Sequence, residues 1–144
     1  MITVTIAGRD GTLNVNSSAV EKLIQTILED SNISNAEINL VFGTDKMLRE
    51  LKLEYFDEDV FTDVIAFRLD DGKQLEGELY ISPQRAAETA KTYGVSFSNE
   101  LDRLLIHGTL HLLGWKDDTA EQKKVMSREE NRFLTEINVT TLIN

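Results

Sequence analysis

Cysteine is absent from this chain of 144 residues, which excludes disulfides and thiolate metal sites and leaves imidazole and carboxylate as the available metal ligands. A chain without disulfides suits a reducing compartment, and a cytoplasmic location is expected. The first residues, MITVTIAGRDGTLNVN, carry no basic leader and alternate instead of forming an apolar run, so neither a signal peptide nor a membrane span is expected. Basic residues are in deficit, with 15 Lys and Arg against 25 Asp and Glu and a formal charge of -10. That balance argues against a surface coated for phosphate binding, although a local basic groove remains compatible with it. Proline occurs once, at Pro83, and nothing resembling a linker divides the chain, so residues 1–144 read as a single domain.

The pattern of apolar residues predicts the elements. Ile2, Val4 and Ile6 alternate with threonines as in a half-buried strand, ended by a turn at Gly8-Arg9-Asp10-Gly11. Val20, Leu23, Ile24, Ile27 and Leu28 form the buried stripe of a helix, with Ser18 and Glu21 as its capping box. Ala36 to Phe42 reads as a strand, and Thr44 caps a helix with Met47, Leu48, Leu51 and Tyr55 on one face, ended by Asp57-Glu58-Asp59. Thr62 to Leu69 and Leu75 to Ser82 are strands paired antiparallel through an Asp70-Asp71-Gly72 hairpin.

Pro83 opens a helix that Gly94 closes. From Ser98 a further helix buries Leu101, Leu104, Leu105 and Leu112 and stops at Gly114. Thr119 and Gln122 box the start of a last helix whose inward residues are Met126 and Phe133. Strands early and helices late imply an α+β or mixed α/β domain, a small mixed sheet of about four strands with about five helices.

Both histidines fall in one short stretch, His107-Gly-Thr-Leu-His111. Residues four apart on a helix project from the same face roughly 6 Å apart, so the two imidazoles can reach one ion. Gly108 is read as keeping the surface beside His107 open, and Gly114 as letting the chain fold back to deliver a third ligand. Asp117 and Asp118 are both candidates, and spacing alone does not choose between them. Against this stands the plainer reading that an i, i+4 histidine pair is a short, permissive motif.

The stretch HGTLHLLGWKDD resembles the signature of the YbeY-type metal-dependent endoribonucleases, His-Gly-x-Leu-His-Leu-x-Gly-aromatic followed by a third ligand. Thr62-Asp63-Val64-Ile65-Ala66-Phe67 and Gly77-Glu78-Leu79-Tyr80-Ile81-Ser82 are similar to two further family segments, in the same order. The resemblance implies a zincin-like α/β fold, one Zn²⁺ on His107, His111 and Asp117, and cleavage of single-stranded RNA. It also implies maturation of the 3′ end of small-subunit (16S) rRNA and ribosome quality control, with ribosomal RNA and the ribosome or its associated proteins as partners, and neither DNA nor membrane. Two positions depart from the family pattern: the third ligand, usually histidine, is Asp117, and an arginine assigned to catalysis is replaced by Phe56. Arg68, Arg85 and Lys116 are the cations considered as substitutes.

Asp63 and Glu78 are the acids that could serve as a distant base, although each also reads simply as part of its strand or turn. Position 108 is glycine where a zincin peptidase has its glutamate, which weighs against the alternative of a metallopeptidase. Two histidines and a carboxylate also suit non-haem Fe(II), although a helix and adjacent turn suit zinc better. A metal-stabilised ribosome-associated binding module with little activity is the alternative that Phe56 favours. Trp115 could stack on a base or simply cover the helix. Lys123, Lys124, Arg128 and Arg132 could contact phosphates or form a solvated face.

Overall fold

The computed structural model describes residues 1–7, 15–72 and 74–136. Alternation makes β1 (Ile2–Ala7) a half-buried strand whose Ile2, Val4 and Ile6 pack against the core. There follow α1 (Ser17–Asp30), β2 (Ala36–Phe42), α2 (Asp45–Phe56), β3 (Val64–Arg68), β4 (Leu75–Ile81), α3 (Pro83–Tyr93), α4 (Phe97–Leu112) and α5 (Ala120–Glu136). Among the described residues these make a mixed α+β fold with one four-stranded sheet and five helices, as the sequence predicts. The predicted turn at Gly8–Gly11 lies outside the described residues. No described helix is long and apolar enough to cross a membrane.

The sheet order is β1-β2-β4-β3. The first three strands run parallel, and β3 pairs antiparallel with β4, which leaves β3 at the edge. Connections explain this order: α1 carries the chain between the parallel strands β1 and β2, whereas β3 and β4 follow each other as a hairpin. The hairpin connection is longer than a tight Asp-Gly turn, because the strands end at Arg68 and resume at Leu75. Asp70 organises it, accepting from Arg68 Nε at 2.8 Å and from the backbone N–H groups of Gly72 and Glu76 at 2.8 and 3.1 Å. Those bonds hold its carboxyl well below the usual carboxylate range, the Arg68 bond contributing most.

The predicted stripe on α1 is fully buried. Its cap is Asn16, whose side chain accepts from Ala19 N–H at 3.1 Å, so the helix starts at Ser17 and the expected Ser18–Glu21 capping box is not the one that opens it. On α2 the Thr44 cap is present, but Leu48 is the one member of the expected face that is buried. Tyr55 is largely exposed and meets Phe67 of β3 edge-on, because this helix covers the sheet edge and not its centre. Ser82 caps α3 with Pro83 behind it, and Gly94 closes that helix at φ 67°.

Helix α4 lies directly on the sheet. Leu101, Leu104, Leu105 and Leu112 enter the core as expected. A Cβ at Gly108 would stand 2.9 Å from Leu79 Cδ2 and 3.1 Å from Val64 Cγ2, and one at Gly77 would stand 2.7 Å from Leu112 Cδ2. These two glycines let the helix and β3–β4 approach closely. Gly108 therefore faces the sheet, and its role is packing; it does not open the surface beside His107.

Candidate metal centre

Helical spacing places His107 and His111 one turn apart on α4, with their Nε2 atoms 3.0 Å from each other. The helix stops at Leu113, and Gly114 takes φ 98°, a left-handed conformation that turns the chain back. Asp117 Oδ2 then lies 3.4 Å from the Nε2 of each histidine. Tetrahedral zinc with bonds of about 2.0–2.1 Å has ligand-to-ligand edges of roughly 3.3 Å, so this triangle has the dimensions of one tetrahedral face.

Proton positions strengthen the fit. His111 Nδ1 lies 3.0 Å from the carbonyl oxygen of Trp115, which can only accept, so this nitrogen carries the proton and Nε2 carries the lone pair. His107 Nδ1 lies 2.6 Å from Glu130 Oε2 and donates to it in the same way. With both imidazoles neutral, two ring lone pairs and a carboxylate oxygen converge on one point, where a bound cation relieves their mutual repulsion. The residues present fit a zinc ion.

Of the two aspartates, Asp117 is the one whose carboxylate is grouped with both histidines. The backbone N–H of Asp118 donates to Gln122 Oε1 at 2.9 Å, and Gln122 N–H donates to Thr119 Oγ1 at 3.1 Å, the box that starts α5.

Glu130 was not singled out in the sequence. It is buried on α5 between Met126 and Phe133, and its other oxygen accepts from Arg103 Nη1 at 3.1 Å. Burial disfavours a charged His107, but the surrounding carboxylates, Glu130 first and then Asp117 and Asp63, together outweigh it and raise the ring above the ordinary imidazole pKa. The signal for Glu130 was present: residues 126, 130 and 133 share one helix face, and an acid on an apolar stripe needs a buried partner.

A cleft of about 410 Å³ opens beside the triad, lined by Lys52, Phe56, Thr62 to Ala66, His107, His111 and Asp117. Asp63 lies in its wall, and burial, the largest influence, raises its carboxyl above the ordinary value. Glu78, the other acid considered, does not line this cleft and accepts from the Tyr80 hydroxyl at 3.2 Å. Neither Arg68, Arg85 nor Lys116 lines the cleft either, whereas Lys52, which no motif in the sequence marks, does. Phe56 stacks on Phe67 with ring centroids 5.7 Å apart.

The basic residues of α5 are unequal. Arg132 is held by Asp30, Glu129 and Glu136, while Lys123 borders a shallow depression beside His107 and Asp117. Trp115 is half-buried against the core, as its covering role predicts.

Comparison with known proteins places these features in a family. The family model for endoribonuclease YbeY matches residues 5–138. Endoribonuclease YbeY of Chloroherpeton thalassium is 40% identical over 115 residues, covering 80% of this chain and 82% of the relative. That of Amoebophilus asiaticus is 34% identical over 128 residues, covering 88% and 87%. The solution structure of TM1509 from Thermotoga maritima superimposes with a TM-score of 0.64 at 25% identity, covering 94% of this chain and 89% of that one. The chain belongs to the YbeY endoribonuclease family.

Proposed function

We propose that residues 1–144 work as one zinc-dependent endoribonuclease domain that cuts single-stranded RNA, with ribosomal RNA as substrate and the 3′ end of small-subunit rRNA as the site of action. The same reading covers ribosome quality control, contact with the ribosome or its associated proteins, and a cytoplasmic location. The observation that carries it is the triangle of His107 Nε2, His111 Nε2 and Asp117 Oδ2, joined to the family membership.

His107, His111 and Asp117 would hold the ion, which when bound polarises a phosphoryl oxygen and lowers the pKa of a water to ~7 in favourable sites. Glu130 and the Trp115 carbonyl fix the tautomer and orientation of both imidazoles before any ligand arrives. Asp117 contributes a negative charge that a third imidazole would not, which tempers that acidity. Asp63 is the carboxylate outside the ligand set in the same cleft wall, and its raised pKa suits it to accept a proton from the attacking hydroxyl. Gly108, packed on Leu79 and Val64, supplies no carboxylate beside His107, which leaves a peptidase reading without its usual base.

The test is incubation of purified protein, zinc-loaded or chelated, with a single-stranded rRNA fragment. Chelator-sensitive cleavage that His111→Ala lacks is the expected result, and cleavage no greater than that of His111→Ala would overturn the reading in favour of a binding module. A 2′-deoxy nucleotide at the cut site separates the nucleophiles, since persistent cleavage excludes the 2′-hydroxyl.

A further inference from the structure

We infer that Lys52 is the residue that grips a backbone phosphate of the RNA in the cleft beside the metal ligands. The inference rests on the RNA-cleavage reading above for its substrate, and on the geometry of α2 for the residue.

A polyanion entering a protein of formal charge -10 must find a cation near the metal ligands. The cleft wall otherwise carries Asp63 and Asp117, both acidic. Among the described residues that line it, Lys52 is the one lysine or arginine. A second cleft, of about 540 Å³, meets the first at Asp63 and His107 but adds Glu100 and Glu130. Its one arginine, Arg103, is already committed to Glu130 and Asn131. Lys123 borders a smaller depression that touches His107 and Asp117 but not His111 and is shared with Glu130, whereas the Lys52 cleft is lined by all three ligands, so phosphate is favoured on the Lys52 side.

The ammonium is held there. Lys52 Nζ stands 4.5 Å from the centroid of the Phe56 ring, one helical turn on, and that ring is stacked on Phe67. The lysine stem is mostly covered, with 25% of its side chain exposed. Its acidic partner, Glu58, is 3.5 Å away and 57% exposed, a solvent-screened pair that a phosphate can displace. The nearby guanidiniums are bound more tightly: Arg49 to Asp59 at 2.7 Å, Arg68 to Asp70 at 2.8 Å and Arg85 to Asp45 at 2.6 Å. A lysine presents a point charge with three donors, which suits a phosphate that approaches without fixed orientation.

The experiment measures binding of a fluorescent single-stranded RNA oligonucleotide over a range of salt, with zinc-loaded and chelated protein, and cleavage separately. Lys52→Met is expected to weaken binding about tenfold and to reduce the slope of log affinity against log salt by ~0.7, the amount for one phosphate contact on a single strand. Lys52→Arg should restore most of the affinity, Lys124→Ala on the solvent face should change neither quantity, and zinc content should match wild type throughout. Unchanged affinity and slope in Lys52→Met, an equal loss in Lys124→Ala, or no RNA binding by wild type would each overturn the inference. RNA binding that depends on Lys52 without any cleavage would instead uphold it while removing the endonuclease reading.

Discussion

Glu130 on α5 accepts a hydrogen bond from His107 Nδ1 on α4, with 2.6 Å between nitrogen and oxygen, and so joins the last described helix of the fold to the metal ligands. Replacing it with glutamine keeps the shape and removes the charge. Outer-shell partners of this kind contribute roughly 10–100-fold to metal affinity, and Glu130→Gln is expected to weaken zinc binding by that amount in competition with a chromogenic chelator. Zinc affinity equal to wild type would mean that the hydrogen bond does not orient the ligand.

Gly108 should tolerate no side chain. Its Cβ would press on Leu79, which is fully buried, and on Val64, so Gly108→Ala is expected to lower unfolding free energy by about 1–3 kcal/mol. Denaturant titration with wild type and variant side by side measures this. A neutral or stabilising result would show that α4 is not seated as closely on the sheet as described.

Asp102 predicts a pH dependence of stability. It is 7% exposed, its Oδ1 meets no donor among the described residues, and burial pushes its carboxyl up to about 7. The folded protein therefore keeps this proton to higher pH than the unfolded chain, which loses it near the ordinary value of about 4. Its contribution to stability is greatest below about pH 4, is lost as pH rises to about 7, and changes no further above that. Asp102→Asn should flatten this part of the profile and gain between about 2 and 4 kcal/mol relative to wild type at pH 8. Parallel pH profiles for the two proteins in chemical denaturation would contradict it.

Asp63→Asn separates proton transfer from metal holding. The variant is expected to lose about a hundredfold in kcat for RNA cleavage, within the usual range for removing a positioned base, with zinc content and RNA affinity near wild type. Loss of zinc together with activity would assign Asp63 to the integrity of the site instead.

Much of this structure was legible because the relevant signals are local. The stripe on α1, the boundaries of β2 and the caps at Thr44, Pro83, Gly94 and Thr119 depend on neighbours within a turn or two, and each is found where the sequence puts it. The histidine pair and the chain reversal at Gly114 are local in the same sense. What escaped depends on packing between distant segments. Glu130 approaches His107 only after α5 folds across α4, and Lys52 reaches the cleft only because α2 lies along the edge strand β3. Gly108 seats the helix instead of opening the surface for the same reason, since the two kinds of glycine look alike in sequence until the sheet beneath is known. Tyr55 and Met47 follow helical spacing, yet stay exposed because α2 covers an edge.

Native mass spectrometry of protein purified with zinc supplied measures whether His107, His111 and Asp117 together hold one metal ion. The expected spectrum has one zinc per chain in wild type and none in a folded His111→Ala variant. A wild-type chain that stays metal-free under these conditions, or a His111→Ala chain that keeps its zinc, would mean that these three residues are not a metal site.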